Sequence, residues 1–234
     1  MLKNIFFWFI ITSSISLQSQ NKRVIINQTD SIRNFYYSES YNPDDYLNGK
    51  EYKAYYNPTT TSPLLEKTLG EGTIFNKGVA YNKLTIAYDR NLDELIVMPG
   101  KYVSDNVYVK INKSEVDSFY VNFEKSQYLF INRKSDTVLP KGFYEIPYKG
   151  RHELHVKYTT SNLYHDGILT YYPKIERYLI EEENCFLIKK KKDLLNVFSE
   201  NKKEVRKKTR SYHTPFKNLT NFQFTQILKF AESL

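Results

Sequence analysis

Hydrophobic and polar side chains alternate through most of the chain, in short runs that are separated by turn residues. These runs are rich in β-branched and aromatic residues, which favours strands. In order they are EYKAYY, GTIF, VAYNKLTIAY, ELIVM, NVYVKIN, SFYVNF, QYLFIN, GFYEIPY, RHELHVKY, YPKIERYLI and CFLIKKK. Turn signals recur about every 8–12 residues, which predicts an antiparallel sandwich or a partly open barrel. Three hairpin turns are predicted, at Asn76-Lys77-Gly78, at Lys149-Gly150 and at residues 182–184.

The hydrophobic period changes from two residues to a helical spacing at Asp193. The stretch DLLNVFSENKKEVRKK predicts one amphipathic helix, and NFQFTQILKFAESL predicts a second. Asp193 and Asn221 are the expected N-caps. The predicted fold is therefore α+β and mainly β, with a β-rich body over residues 46–192. A C-terminal helical pair over residues 193–234 is expected to pack on that body, because its apolar stripes must be covered.

Residues 1–20 have the pattern of a secretory signal peptide. Lys3 supplies the positive charge, residues 5–11 form an unbroken apolar run, and a Ser-rich stretch follows. A spanning helix needs about 20 mainly apolar residues, whereas polar residues begin here at Thr12. We therefore expect a cleaved signal, a polar N-terminal segment over residues 21–45, and no transmembrane segment after cleavage.

The net charge of +8 is concentrated in one part of the chain. Residues 185–217 contain 11 Lys and Arg against three acids, so this window alone carries +8. Such a segment is either a solvated helix face or a surface that contacts a polyanion. The candidate contact residues are Lys189, Lys190, Lys191, Lys192, Lys202, Lys203, Arg206, Lys207, Lys208 and Arg210. Anionic polysaccharide, lipid headgroups or an envelope protein are the expected partners, and nucleic acid is disfavoured because no aromatic residues interleave the lysines.

The stretch YDRNLDELIV raises the question of a metal site. Asp89, Asn91 and Asp93 alternate as the first ligands of a calcium-binding EF-hand loop do. The sixth and twelfth positions of that loop are Gly and Glu, but Glu94 and Gly100 occupy them here. Asp and Asn also suit tight turns because they hydrogen-bond their own backbone. We therefore expect a connection between two paired strands, and no metal.

Histidines and cysteine offer the remaining candidate chemistry. His152 and His155 lie in a strand-like run, where their spacing places them on opposite faces, so a shared metal is not expected. Cys185, the only cysteine, opens an apolar strand and is expected to be inert. No phosphate-binding or dinucleotide-binding pattern occurs, so no cofactor is expected. A hydrolase site assembled from scattered His, Asp and Glu residues is the alternative, and a cleft that gathers His152 or His155 with Asp or Glu from other strands would favour it.

Four segments follow one another in a familiar order: LNGKEY, GVAYNKLTIAYDRNLDELIV, KGFYEIPYKG and FLIKKKKDLLNVF. This order resembles a family of exported Bacteroidetes proteins with no assigned function, from about residue 47 to the C-terminus. The resemblance implies a periplasmic or outer-membrane-associated location in a Gram-negative bacterium, and it brings no catalytic residues. The expected function is therefore non-enzymatic, in binding or scaffolding.

Export can be tested through the single tryptophan, Trp8, which lies inside the apolar run. Removal of the signal would leave a mature chain without tryptophan, so its ultraviolet emission should come from tyrosine alone. The full-length chain is expressed in a Gram-negative host, and the periplasmic protein is examined by intact mass and emission spectrum. An uncleaved chain in the membrane pellet, with indole emission, would contradict export.

Overall fold

The computed structural model describes residues 47–53, 61–66, 68–99, 107–134 and 138–234. All of these residues belong to one compact unit, Tyr46–Leu234. The predicted signal peptide and the predicted polar segment lie outside the described residues.

The described residues form eleven strands, three α-helices and a short 3-10 helix. The strands are β1 Gly49–Glu51, β2 Gly70–Asn76, β3 Val79–Asp89, β4 Glu94–Met98, β5 Val109–Ile111, β6 Val116–Phe123, β7 Ser126–Arg133, β8 Gly142–Lys149, β9 Glu153–His165, β10 Ile168–Glu181 and β11 Asn184–Leu187. The helices are α1 Lys191–Val197, α2 Lys202–Arg210 and α3 Asn221–Glu232, with the 3-10 helix at Phe216–Asn218.

All eleven strands belong to one open antiparallel sheet, in the order β1-β5-β4-β3-β2-β6-β7-β8-β9-β10-β11. The predicted class, mainly β with C-terminal helices, is confirmed. Of the two predicted architectures, the single sheet excludes a sandwich of two packed sheets. The helices take the place of a second sheet by covering the apolar face of the first.

Ring contacts show that the sheet curls strongly. Tyr88 on β3 and Phe143 on β8 are four places apart in the sheet, which is about 19 Å in a flat sheet. Their ring centroids are only 6.0 Å apart. Phe119 and Phe130 lie between them, stacked at 4.7 Å. The four rings form the centre of the core, and burying them together requires the curvature.

The C-terminal helices close the same core. Leu194, Val205, Phe224 and Leu228 are fully buried, and they belong to one cluster with sheet residues such as Leu154. Their helical spacing predicted one apolar face per helix, and that face lies against the sheet. The helical segment is thus part of the fold.

The first predicted helix is wrong in its continuity, because the structure divides it into α1 and α2. The break lies at Phe198, whose backbone leaves the helical region at φ −96° and ψ 58°. This turn brings the Phe198 ring to 5.0 Å from the His152 ring, where it is buried. A helical period cannot reveal such a break, because Phe198 satisfies the apolar stripe in either case.

Both predicted N-caps are also wrong, by one to three residues. Lys190 is the N-cap of α1, and Asp193 at the third helical position accepts hydrogen bonds from the backbone N–H groups of Lys189 and Lys190. Thr220 is the N-cap of α3, and its hydroxyl accepts from the Gln223 backbone N–H at 3.1 Å. Carboxylates are favoured at the third position as well as at the cap, which explains the shift at Asp193, while Asn221 is the first residue of α3.

The predicted hairpin turns are confirmed. Lys77-Gly78 joins β2 to β3 with both residues at positive φ, and the other two turns join β8 to β9 and β10 to β11. The predicted runs RHELHVKY and YPKIERYLI are shorter than the observed strands, because β9 and β10 stay paired as far as the tight turn at Asp166-Gly167. Among the described residues, no helix combines the length and apolar character needed to span a membrane.

Leu228 tests whether α3 is part of the core. Leu228→Ala should lower the free energy of unfolding by about 2–5 kcal/mol, because it removes a fully buried side chain. Phe222 on the same helix is 72 % exposed, so Phe222→Ala should change it by no more than about 0.5 kcal/mol. Urea denaturation measures both, and equal effects of the two changes would contradict the packing.

Candidate functional site

Helix α2 presents a row of positive charges to solvent. Lys203, Arg206, Lys207 and Arg210 are spaced at i, i+3, i+4 and i+7, which places them on one helical face, and all four are exposed. The buried residues of α2, Val205 among them, lie on the other side of the helix. These four residues are called the α2 basic stripe. None of their charged nitrogens lies within 4.0 Å of a described carboxylate, so this charge is available to a ligand.

Of the two other predicted contact residues on α2, the structure sets Lys208 apart from this stripe. Lys208 is half-buried, with its ammonium 5.6 Å from the Tyr212 ring centre and 5.7 Å from that of Phe230. Cation–π contacts of this kind tie Lys208 to the fold. Lys202 is exposed at the first turn of α2. The Lys208 side chain is therefore part of the packing of the fold, and we do not include it in the candidate ligand contact.

The four remaining cations lie at the start of α1. Lys189, Lys190 and Lys192 are exposed, and Lys191 is half-buried. α1 packs against α2, and the two helices carry eight of the ten predicted residues, while Lys189 and Lys190 directly precede α1. The α2 basic stripe is the part of this set with regular spacing, because its four residues lie on one face of a single helix.

The stretch that suggested calcium forms the predicted hairpin between β3 and β4. Asp89 is fully buried, and its Oδ1 accepts from the backbone N–H groups of Asn91 and Leu92 at 2.8 and 3.0 Å. Its Oδ2 accepts from the Tyr52 hydroxyl at 3.0 Å. The Asp89 carboxylate therefore shapes the turn, as the short polar residues of turns commonly do.

Asp93 joins this turn to distant strands. Its carboxylate accepts from the Tyr88 hydroxyl at 2.6 Å and from the Lys157 ammonium on β9 at 3.0 Å, and it also pairs with Lys113. Gly142 lies so close that a Cβ there would overlap both Asp93 and Lys157, and its φ of +141° also favours glycine. The ammonium groups of Lys113 and Lys157 both pair with the Asp93 carboxylate. Asp93 therefore links the β3–β4 turn to β9 and to the connection between β5 and β6.

His152 meets two carboxylates, one from α3 and one from β10, but it lies in a closed position and not in a cleft. Its Nδ1 lies 3.0 Å from Glu232 Oε1 on α3, and its Nε2 lies 3.4 Å from Glu181 Oε2 on β10. The His152 side chain is only 4 % exposed. Both ring nitrogens face carboxylates in a closed position, so no ring nitrogen is presented to a substrate.

Glu232 receives four hydrogen bonds at the turn between β8 and β9. Oε2 accepts from the Tyr148 hydroxyl at 2.6 Å and from the Arg151 N–H at 3.1 Å, while Oε1 accepts from the N–H and the ring of His152. Burial opposes ionisation, but these bonds outweigh it and hold the pKa of Glu232 below its ordinary value. Burial and the Glu232 contact raise the pKa of Tyr148 to about 12. We call this arrangement the Glu232 clamp.

A second cluster of hydrogen-bonded polar side chains lies under the start of α3. The Tyr158 hydroxyl donates to Glu145 Oε2 at 2.5 Å, and the Asn221 amide donates to the same oxygen at 2.8 Å. Arg177 donates to the Leu219 carbonyl at 2.6 Å and to Asn221 Oδ1 at 3.2 Å. Burial raises the pKa of Glu145 and lowers that of Arg177. These groups satisfy one another and fix the N-terminus of α3 on the sheet.

His155 lies on β9 and has different partners from His152, which precedes the strand. Its Nε2 lies 2.9 Å from Glu153 Oε2 and 3.3 Å from Arg133, and its ring packs edge-on against Tyr144. Burial lowers the pKa of His155. Within the part of the chain that the structure describes, no group of three or more His, Cys, Asp and Glu residues is arranged to hold a metal ion.

Sequence reasoning missed Glu232, Glu145 and Arg177, and it singled out Asn221 only as an N-cap, although these residues carry the long-range polar contacts. Glu232 and His152 are 80 positions apart, and Asn221 and Glu145 are 76 apart. No local spacing pattern links residues at such separations. Comparison with protein-family models, with curated proteins and with solved structures finds no match.

The Glu232 clamp predicts a dependence of stability on pH. Because the pKa of Glu232 is lowered in the folded chain, its contribution is complete above the unfolded value of about 4.5 and is lost as pH falls below it. Glu232→Gln should lower the free energy of unfolding at pH 7 by about 1–3 kcal/mol. Urea denaturation from pH 3 to 7 should show this difference shrinking in acid. Glu183→Gln, an exposed change of equal charge, should have little effect, and a pH-independent difference would contradict the clamp.

Proposed function

We propose that the protein is a non-enzymatic, exported envelope protein of a Gram-negative bacterium that binds a polyanion through the α2 basic stripe. The single observation that carries this proposal is the row of four exposed cations without carboxylate partners on one helix face. The apolar side of α2 is already buried in the core, so the helix cannot insert into lipid with that side. Contact through the stripe would therefore be electrostatic.

The helix geometry limits the kind of contact. At 1.5 Å per residue, the stripe from Lys203 to Arg210 is about 10 Å long. A ligand with several anionic groups at this scale, such as an acidic polysaccharide or a cluster of lipid headgroups, matches it. Each basic residue near an anionic surface contributes about 1 kcal/mol. Four such residues give a weak to moderate affinity that depends strongly on salt.

A secreted hydrolase is the second candidate, and the meeting of His152 with Glu181 and Glu232 is the observation in its favour. General base catalysis needs a ring nitrogen within reach of a substrate proton. Here both nitrogens face carboxylates and the side chain is almost fully buried. This geometry supports a structural clamp, and for that reason we favour the binding function.

The test compares two variants of equal charge. Lys203→Gln, Arg206→Gln, Lys207→Gln and Arg210→Gln together remove the stripe. The control changes four exposed lysines elsewhere to Gln, at positions 50, 53, 83 and 125. Retention on immobilised heparin is measured across a salt series, because release of counterions makes such binding fall steeply with salt.

We expect the stripe variant to lose retention at low salt, while the control keeps most of it. Circular dichroism should show unchanged helix content in both variants, since none of the changed side chains is buried. Equal losses in the two variants would mean that net charge alone governs retention, and the site assignment would fall. Unchanged retention in the stripe variant would also overturn it.

A further inference from the structure

The hairpin of β9 and β10 extends beyond the rest of the sheet. β9 pairs with β10 along its whole length, to His165 at the turn. On its other side, β8 pairs with β9 only between Glu153 and Val156. Among the described residues no strand pairs with β9 beyond Val156 on that side. The last part of β9 is therefore an open sheet edge.

The direction of the free backbone groups follows from the neighbouring strand. The Tyr171 N–H donates to the Thr61 hydroxyl at 2.8 Å, and the Tyr171 carbonyl accepts from it at 2.6 Å, so both groups point away from β9. In an antiparallel ladder, directly opposed residues either exchange both bonds or both point outward. Asn162 is directly opposite Tyr171, so its N–H and C=O point to the open edge. Thr160 and Tyr164, each two residues away, point the same way.

The edge lacks the usual protection against strand pairing. Proteins commonly guard such edges with lysine, proline or a bulge. The sequence from Thr159 to Tyr164, TTSNLY, has none of the three, and its pairing with β10 is regular. Leu163 is 54 % exposed and Tyr164 is 63 % exposed. An exposed, uncharged and partly apolar strand edge is expected to be covered by another strand.

Side chains hold this edge in place. The Thr160 hydroxyl donates to Asn91 Oδ1 at 2.7 Å, and the Asn162 amide donates to the same oxygen at 3.0 Å. Asn91 belongs to the turn between β3 and β4, which the Asp89 carboxylate shapes. The edge is thus anchored to the body of the sheet before any partner arrives, which lowers the entropic cost of association.

We propose that a second copy of this chain covers the edge, by antiparallel pairing of β9 with β9 about a two-fold axis at Asn162. In this register Asn162 is opposite Asn162 of the second copy, and Thr160 is opposite its Tyr164. All three outward-pointing residues of each chain are then satisfied, with about six backbone hydrogen bonds. Registers centred on neighbouring positions satisfy fewer of these groups.

Charge also supports a second copy as the partner. The +8 of the chain lies in residues 185–217, whereas the hairpin tip contains Asp166 and His165, which pair at 3.2 Å. No like charges face each other in the proposed register, since Thr159 is opposite His165. A lipid surface fits less well, because the carboxylate of Asp166 is at the extreme tip and would enter the membrane first.

The contact is small, so a weak dimer is expected. A single strand edge buries less than the roughly 1,600 Å² of a standard interface. We expect dissociation in the micromolar range or above, and therefore a dimer that depends on protein concentration. Sedimentation velocity of the mature chain over a concentration series should show this. Asn162→Pro removes one outward N–H that does not bond to β10. This variant should sediment as a monomer across the same concentration series.

Cross-linking tests the register. In a Cys185→Ser background, Asn162→Cys would face its own copy at about 5.5 Å between Cα atoms, which is within disulfide range. Lys174→Cys on β10 is the control, because three strand spacings already place it at least about 14 Å from its copy. Mild oxidation should give a covalent dimer with Asn162→Cys far faster than with the control.

Two results would overturn the proposal. One is a monomer at all concentrations together with equal, slow cross-linking of both cysteine variants. The other is a dimer that Asn162→Pro leaves unchanged and that Asn162→Cys does not cross-link, since another surface would then carry the association. Both outcomes are independent of heparin binding, because none of these changes touches the α2 basic stripe.

Discussion

The structure depends on burying one apolar face of a single long antiparallel sheet. A flat sheet of this width would leave most of that face in water, because its far strands could not reach one another. Curling brings Tyr88 against Phe143 and stacks Phe119 on Phe130, so strands from opposite halves of the sheet share one core. The helices complete the burial, and the fold needs no second sheet.

Half-buried carboxylates fix this closure at particular points. Asp93 ties the β3–β4 turn to β9, Glu145 fixes the start of α3 through Asn221, and Glu232 fixes its end to the β8–β9 turn. Each carboxylate is held by several donors, which lowers the free-energy cost of burying it. Apolar packing can slide by small amounts, whereas these hydrogen bonds require one register. They therefore specify the arrangement that the hydrophobic core stabilises.

The α2 basic stripe stands apart from these contacts. α2 is stabilised by its buried side, so the fold places no demand for positive charge on the outward side. Four neighbouring cations repel one another and lower stability slightly. The open edge of β9 is similar, since the strands that the structure describes pair with one another without using it. Both features are surfaces whose composition the fold does not require, and for that reason they are candidates for binding.

The sequence by itself determined the elements. Alternation predicted the strands, turn residues such as Lys77-Gly78 placed the hairpins, and the helical period placed α3, because these signals depend on residues a few positions apart. It also located the ten basic residues, though it could not separate Lys208, which packs on rings, from the stripe. Only the tertiary structure decided the curl of the sheet, the break at Phe198, the Glu232 clamp and the open edge of β9. Each of these depends on contacts between residues far apart in the chain, and their geometry exists only once the sheet has curled and the helices have packed on it.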